Sequence, residues 1–458
     1  MSVDHNAIEK TDAVLHEGED SVFYVRDGAL YIEGVRASDL AKKYGTPLYV
    51  YSNRMIRERF AEIRRDFLDR YSRNDGLGDD RAGAYAAYAA KAFLTPVMCR
   101  IVAEEGFLLD VVSGGEFFTA IQAGFPADRI KYHGNNKTIQ ELEEAIGAGV
   151  GRIVIDGLDE LFIIEEIAER AGRIQPVLFR ITPEVSAGAH DHITTGRRDS
   201  KFGVPMDEDV LYPLVGRAVE SPHIHFLGLH FHVGSQLFDP APYIEATGKA
   251  LGVIDEINRR FAYSVPELCI GGGFGIRYTR AEERQPYAAF TGPVVALVNS
   301  YCEERGLIPP DIGIEPGRSI VGDAGVTLYT VGSIKQIPDG PKYVSIDGGM
   351  SDNIRPALYG AVYEAMLADK AAAKAADKET VTICGKLCES GDRIIDGASL
   401  AKAERGDILC VFSTGAYGYS MASNYNKIPK AAACLVDGEE ARLIVRRQTY
   451  EEMIAPEI

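Results

Sequence analysis

The sequence predicts an α/β protein in which a (β/α)8 TIM-like barrel is inserted into a second, β-rich domain of sandwich or barrel type. Three observations predict it. Between Tyr49 and Glu315, short apolar or β-branched runs alternate with longer segments of helical period, the sequence form of repeated βα units on a parallel sheet. After Gly322 the texture changes to strand-like runs separated by turn residues, with little helix. An early segment, VFYVRDGALYIEGV, sets an Asp-Gly turn between alternating runs, a hairpin signal that belongs with the later strands.

The barrel strands are placed one by one. AGAYAAYAAKAF, GFLLDVVSGGE, DRIKYHGNNK, GRIVIDG, QPVLFRITPE, FLGLHFHVGSQ, PELCIGGGFG and DIGIEPGR each read as a strand ending in a polar or glycine-rich loop. Between them, TIQELEEAIGAGV and LDELFIIEEIAERAG show apolar residues at helical spacing with acids on the opposite face. Eight such units close a barrel, whose chemistry gathers at the carboxyl ends of the strands. Later runs, VTLYTVGSIKQI, KYVSID, ETVTICGKL, GDILCVFS and AAACLVDG, supply the β-rich domain. The expected division is a tail over 1–20, a discontinuous β-rich domain over 21–51 and 323–458, and the barrel over 52–322. LADKAAAKAADKE is read as an exposed helix or loop without an apolar face to bury.

Composition narrows the function classes. A formal net charge of −18 disfavours a nucleic-acid partner, because neutralising phosphates takes clustered Lys and Arg. No stretch reaches the roughly 18 uninterrupted apolar residues of a membrane span, and MSVDHNAIEK lacks a leader's basic-then-apolar pattern, so the expectation is a cytoplasmic protein. Seven cysteines without a CxxC pair predict reduced thiols and no zinc site.

Several residues could carry chemistry. Lys91 lies in a run of small and aromatic residues where an ammonium is costly, and a Schiff base would remove that cost; the plain alternative is a lysine snorkelling from an apolar strand. Gly271, Gly272 and Gly273 in GGGFG let backbone amides approach a phosphate, although a simple glycine turn reads the same way. The loop fits neither the dinucleotide nor the P-loop pattern. HVGSQ adds His232 and Ser235 to one strand end. His230 with His232, like His223 with His225, has the spacing of a metal pair, but no acidic or cysteine motif accompanies them and no metal is expected. EPGR sets Glu315 and Arg318 around a turn; a carboxylate beside a pyridine nitrogen keeps it protonated, and the alternative is a surface ion pair. Cys388 and Glu389 in GKLCESGDRI offer a thiol and an acid, though a lone cysteine is more often core.

Together these motifs resemble the fold-type III pyridoxal-phosphate decarboxylases, which share the alanine racemase-like fold, from about Tyr44 to Glu452. Within that group the diaminopimelate branch is the nearer match. YGTPLYVYS, LDVVSGGE, HDHITTGRRDSKFG, HFHVGSQ, IGGGFG, EPGR, RPALY, CESGD and GAYGYSMASNYN occur in its order. The resemblance implies pyridoxal 5'-phosphate on Lys91, His232 stacked on its ring and Glu315 at its nitrogen. Ser235 and Gly271 to Gly273 would hold the phosphate, with Asp110, Gly317, Arg318 and Tyr417 completing the cofactor set. Arg318, Arg355, Tyr359 and Tyr417 would meet substrate, Glu389 its distal ammonium, and Cys388 would supply a proton. The implied reaction is decarboxylation of meso-2,6-diaminopimelate to L-lysine and CO2, by a homodimer whose Cys388 serves the partner's site. Arg355 with Glu389 suits a substrate that carries an amino-acid head at both ends. A decarboxylase of ornithine or another basic or D-amino acid, a racemase and an inactive homologue are the alternatives. The chain departs from many relatives at Ala92 and Phe93 after the lysine, and in the RNDGLGDDRAG loop before that strand.

Overall fold

In the computed structural model, residues 21–71, 82–185 and 200–458 are described. The expected tail over 1–20, most of the RNDGLGDDRAG loop and much of HDHITTGRRDSKFG lie outside them. The chain divides into two compact units: Met1–Arg59, Ile276–Glu283 and Ile320–Ile458 form one, and Phe60–Gly275 with Arg284–Ser319 forms the other.

The first unit begins with β1 (Phe23–Arg26), β2 (Ala29–Ile32) and β3 (Val35–Arg36), a small antiparallel sheet. The Asp-Gly hairpin forms as its composition dictates: Asp27 (φ 53°) and Gly28 (φ 75°) both take the left-handed conformation that a two-residue turn with right-twisted strands requires. β4 (Leu48–Ser52) follows, fully buried.

The second unit holds β5 (Ala84–Ala89), β6 (Leu108–Val111), β7 (Ile130–Tyr132), β8 (Arg152–Ile155), β9 (Gln175–Arg180), β10 (Ile224–His230), β11 (Glu267–Cys269) and β12 (Asp311–Ile314). These are the eight expected strands. They pair in parallel in chain order, and β12 closes onto β5 with Ile312 opposite Ala84. The expected helices occupy Ile139–Ala148 and Glu160–Arg170, the former started by a Thr138–Glu141 capping box and stopped at Gly149 in the left-handed conformation.

Back in the first unit, β13 (Gly325–Gln336), β14 (Lys342–Ile346), β15 (Ala365–Leu367), β16 (Lys378–Cys384), β17 (Arg393–Ala401), β18 (Ile408–Val411), β19 (Ala432–Asp437) and β20 (Glu440–Val445) build a nine-stranded mixed sheet with β4. β4 lies between β13, antiparallel, and β19, parallel. An early strand is therefore completed only by strands that follow the barrel.

Two details depart from expectation. Ile276–Glu283 lies in the stretch expected to be barrel but clusters with the β-rich unit, because Ile276 and Tyr278 pack in one core with Tyr329, Val344 and Ile383. LADKAAAKAADKE takes the loop alternative rather than the helix, with a short 3-10 turn at Ala375–Asp377, but it does bury apolar residues, namely Leu367, Ala368 and Ala371. The Ala371 amide donates to the Gly28 carbonyl at 3.0 Å, so tertiary contact decided the segment.

Candidate active site

At the carboxyl ends of the barrel strands, a buried carboxylate is surrounded by cationic and imidazole groups. Glu315 follows β12 and is 7% exposed. His133, just beyond β7, places Nε2 2.9 Å from Glu315 Oε1, and His230 at the end of β10 places Nε2 2.9 Å from Oε2. Lys131 on β7 stands with Nζ 2.7 Å from Oε1, off the hydrogen-bonding direction, and is itself 0% exposed. Strand alternation explains the grouping, since Lys131 and His133 are two residues apart and share a face. Burial alone would raise the Glu315 pKa, but His133, Lys131 and His230 hold it well below the usual carboxylate range. The Lys131 ammonium is depressed by burial and more than restored by Cys269 and Glu315, which raise it. Burial drives the His230 imidazole well below its ordinary value in spite of Glu315.

Lys91 lies on the Ala90–Ala92 turn directly after β5 and is exposed. The desolvation expected from its neighbours is thus corrected: Ala90, Ala92 and Phe93 are buried while the lysine, past the strand end, is not. It is near enough to act electrostatically on Asp110 and His232. Asp110, on β6, is 4% exposed with Oδ1 lacking a hydrogen-bond partner; burial raises its pKa, and His133, whose Nε2 is 3.8 Å from Oδ1, works the other way. His232 is depressed to about 3, first by desolvation and then by Lys91 and Arg180, which leaves a neutral ring at physiological pH. Arg318 Nη2 donates to Ser235 Oγ at 3.0 Å.

The glycine run has a packing reason of its own. Gly271 (φ 72°) and Gly273 (φ 106°) are left-handed, and a Cβ on Gly271 would lie 2.6 Å from the Phe231 carbonyl oxygen. A Cβ on Gly272 would collide with the Glu315 carbonyl, and one on Gly317 would lie 2.9 Å from the Ala89 Cβ. Four strand ends are thereby drawn together.

His133, His230 and Glu315 offer ligand atoms all within 4.8 Å of one another. Those atoms already meet each other, and the Lys131 ammonium occupies the carboxylate's cationic neighbourhood, so a metal would have to displace a buried ion pair. His230 also meets His133 edge-on, at 4.7 Å between ring centroids. The donor set suits an anionic aromatic group that bonds to an amine. It offers a primary amine at Lys91, a neutral ring at His232, a hydroxyl and guanidinium at Ser235 and Arg318, and an ionised acid at Glu315.

The remaining predicted residues lie in the β-rich unit. Arg355 begins the Arg355–Tyr359 helix and is buried; Tyr359, at its end, is 44% exposed. Cys388 and Glu389 are exposed on a turn, where the Cys388 amide donates to Asn426 Oδ1 at 2.9 Å. Asp392 ties this turn to the one before Arg355: Oδ1 accepts from the Met350 amide at 2.6 Å and Oδ2 from the Leu387 amide at 2.9 Å. Tyr417 is half-buried with φ 62°, a left-handed conformation that a bulky residue seldom adopts. Sequence reasoning missed Lys131, His133, Arg180 and Asp392. For the first three a signal existed, a charged or imidazole side chain at the carboxyl end of a predicted barrel strand.

Comparison with known proteins agrees with this chemistry. Residues 78–322 match the family model of the pyridoxal-dependent decarboxylase, pyridoxal binding domain. The diaminopimelate decarboxylase of Bacillus subtilis (strain 168) is 47% identical over 427 residues, covering 93% of this chain and 94% of that one. That of Mycobacterium tuberculosis (strain ATCC 25618 / H37Rv) is 37% identical over 440 residues, 94% of this chain and 95% of the other. Among solved structures, the M. jannaschii diaminopimelate decarboxylase in complex with L-lysine superposes with a TM-score of 0.88 at 34% identity, covering 96% of this chain and 98% of that one.

Proposed function

This chain belongs to the diaminopimelate decarboxylases of the pyridoxal-dependent decarboxylase family, and we propose that it converts meso-2,6-diaminopimelate to L-lysine and CO2 with pyridoxal phosphate carried on Lys91. The observation that carries the reading is Glu315, a buried acid held ionised by Lys131, His133 and His230 at the strand ends that also bear Lys91. Bound pyridoxal phosphate supplies the electron sink for the charge left on carbon when a carboxylate departs. An ionised Glu315 at the ring nitrogen favours that sink, whereas a cationic residue there would weaken it.

The neutral His232 is suited to lie against the ring, because an imidazolium beside a protonated pyridine would repel it. Ser235, Arg318 and the backbone around Gly271 to Gly273 are assigned to the phosphate, with Asp110, Gly317 and Tyr417 in the same set. In the β-rich unit, Arg355 and Tyr359 take the distal carboxylate, Glu389 the distal ammonium, and Cys388 delivers a proton. The exposure of Cys388 and Glu389 supports a homodimer in which these residues complete the partner's site. No described helix is long and apolar enough to cross a membrane, and a cytoplasmic location is the reading that suits a biosynthetic enzyme.

An absorbance scan followed by incubation with meso-diaminopimelate tests this. A cofactor band in the wild type, absent in Lys91→Ala, together with release of lysine and CO2, is the expected result. A band without lysine would sink the substrate assignment, and no band would remove the role given to Lys91.

A further inference from the structure

Arg355 is only 8% exposed. A guanidinium stays charged at any pH a protein meets, so its burial calls for a counter-charge or hydrogen bonds to each edge. The β-rich unit offers two tyrosines. Arg355 Nη1 donates to Tyr278 Oη at 2.7 Å and to Tyr363 Oη at 2.6 Å, which uses both of its N–H bonds. The guanidinium carbon stands 5.0 Å from the Tyr278 ring centre and 5.9 Å from that of Tyr363. The two rings meet edge-on at 5.4 Å and belong to the buried core of the unit, so neither is free to swing away. Among the described residues, Arg355 Nε and Nη2 make no hydrogen bond, and no carboxylate lies within ion-pair distance of the guanidinium.

We propose that Tyr278 and Tyr363 are positioning residues that lock the Arg355 guanidinium in the plane in which it meets the substrate's distal carboxylate. The proposal rests on the decarboxylase reading above. Fixing Nη1 at two points sets the plane of the guanidinium and leaves the Nε–Nη2 edge, whose parallel N–H bonds match the two oxygens of a carboxylate. An aspartate or glutamate in the place of the tyrosines would hold the arginine equally well but would neutralise it. Hydroxyl oxygens orient the group and leave its charge for a ligand. Side-chain freedom is thus removed before a carboxylate binds, which lowers the ordering cost of binding.

L-lysine and cadaverine are the probes, since they differ by the one carboxylate that this receptor would hold. In the holoenzyme, Tyr278→Phe and Tyr363→Phe each remove one oxygen and keep the ring. Each is expected to raise the inhibition constant of L-lysine roughly tenfold, the usual loss for a hydrogen bond to a charged group. The KM for meso-diaminopimelate should rise with it, kcat should change less, and cadaverine inhibition should move by less than about threefold. Equal losses for both probes, no loss for either, or a fall in kcat alone would overturn the proposal. Arg355→Lys, which keeps the charge and loses the planar edge, provides a second route that leaves the tyrosine packing intact, and the same selective loss is expected. Failure of the wild type to make lysine would defeat the substrate reading by itself, before any variant is compared.

Discussion

Glu315 in the barrel and Arg355 in the β-rich unit are both nearly fully buried ions, 7% and 8% exposed, yet they are treated oppositely. Glu315 is compensated from within, by Lys131 and two imidazoles. Arg355 is held by hydroxyls that orient it without cancelling its charge. The contrast separates a permanent charge from a receptor. An ion that must keep one state during a reaction is held by the protein's own counter-charge and hydrogen bonds, while Arg355 is oriented by hydroxyls with no counter-ion among the described residues.

The largest effect that could break this comparison is at Glu315 itself. Glu315→Gln leaves Lys131 buried without its anion, and the expected outcome is a fall in kcat/KM on the order of 10²-fold or more. A stability loss of about 3 kcal/mol, read by denaturant unfolding, should accompany it. Were both quantities unchanged, the barrel cluster would be ornamental to the reaction.

A paired measurement sharpens the contrast. Lys131→Met should also cost about 3 kcal/mol, because it strands a buried carboxylate. Arg355→Met should shift stability by less than about 1 kcal/mol, or raise it, because no counter-ion among the described residues is left behind. KM for the substrate should rise strongly in Arg355→Met. Comparable stability losses in the two variants would mean that Arg355 has an internal partner after all.

A smaller effect comes from His232, whose folded pKa of about 3 lies below the ordinary histidine value near 6.5. Between those values the unfolded chain binds the proton more readily, so stability falls as pH drops from about 6.5 towards 3. His232→Asn should remove that part of the slope, and the difference between wild type and variant in thermal midpoint across pH 7 to 4 measures it. Identical slopes would mean that the ring is not desolvated.

Gly28→Ala, in the amino-terminal hairpin of the β-rich unit, serves as the control. Its φ of 75° is strained for alanine, although an added Cβ would meet nothing within 4 Å. A loss of about 1 kcal/mol with unchanged kcat and KM is expected. A change in either kinetic constant would mean that the hairpin bears on the site.

Most of the framework was legible in the sequence because it rests on local patterns. Every barrel strand was readable from an apolar run and the polar loop that ends it, and Asp27-Gly28 announced its hairpin. The residues proposed for the chemistry were legible for a related reason, since Lys91, His232, Ser235, Gly271 to Gly273 and Glu315 fall at strand ends, where the fold collects function. The burial of Leu367, Ala368 and Ala371 in LADKAAAKAADKE was missed, because those side chains are covered by contact with distant chain rather than by a helical face.

What the sequence determined alone was therefore the order of elements, the architecture and the residue types brought to the strand ends. The electrostatics were decided only by the tertiary structure. His133 reaches Glu315 across 182 residues of chain, and Arg355 meets Tyr278 across 77. Lys91 is exposed although its sequence neighbours are buried. Desolvation and Coulomb interactions depend on distance through space and on burial, neither of which is local along the chain, so which charge is cancelled and which stays available could be read only from the fold.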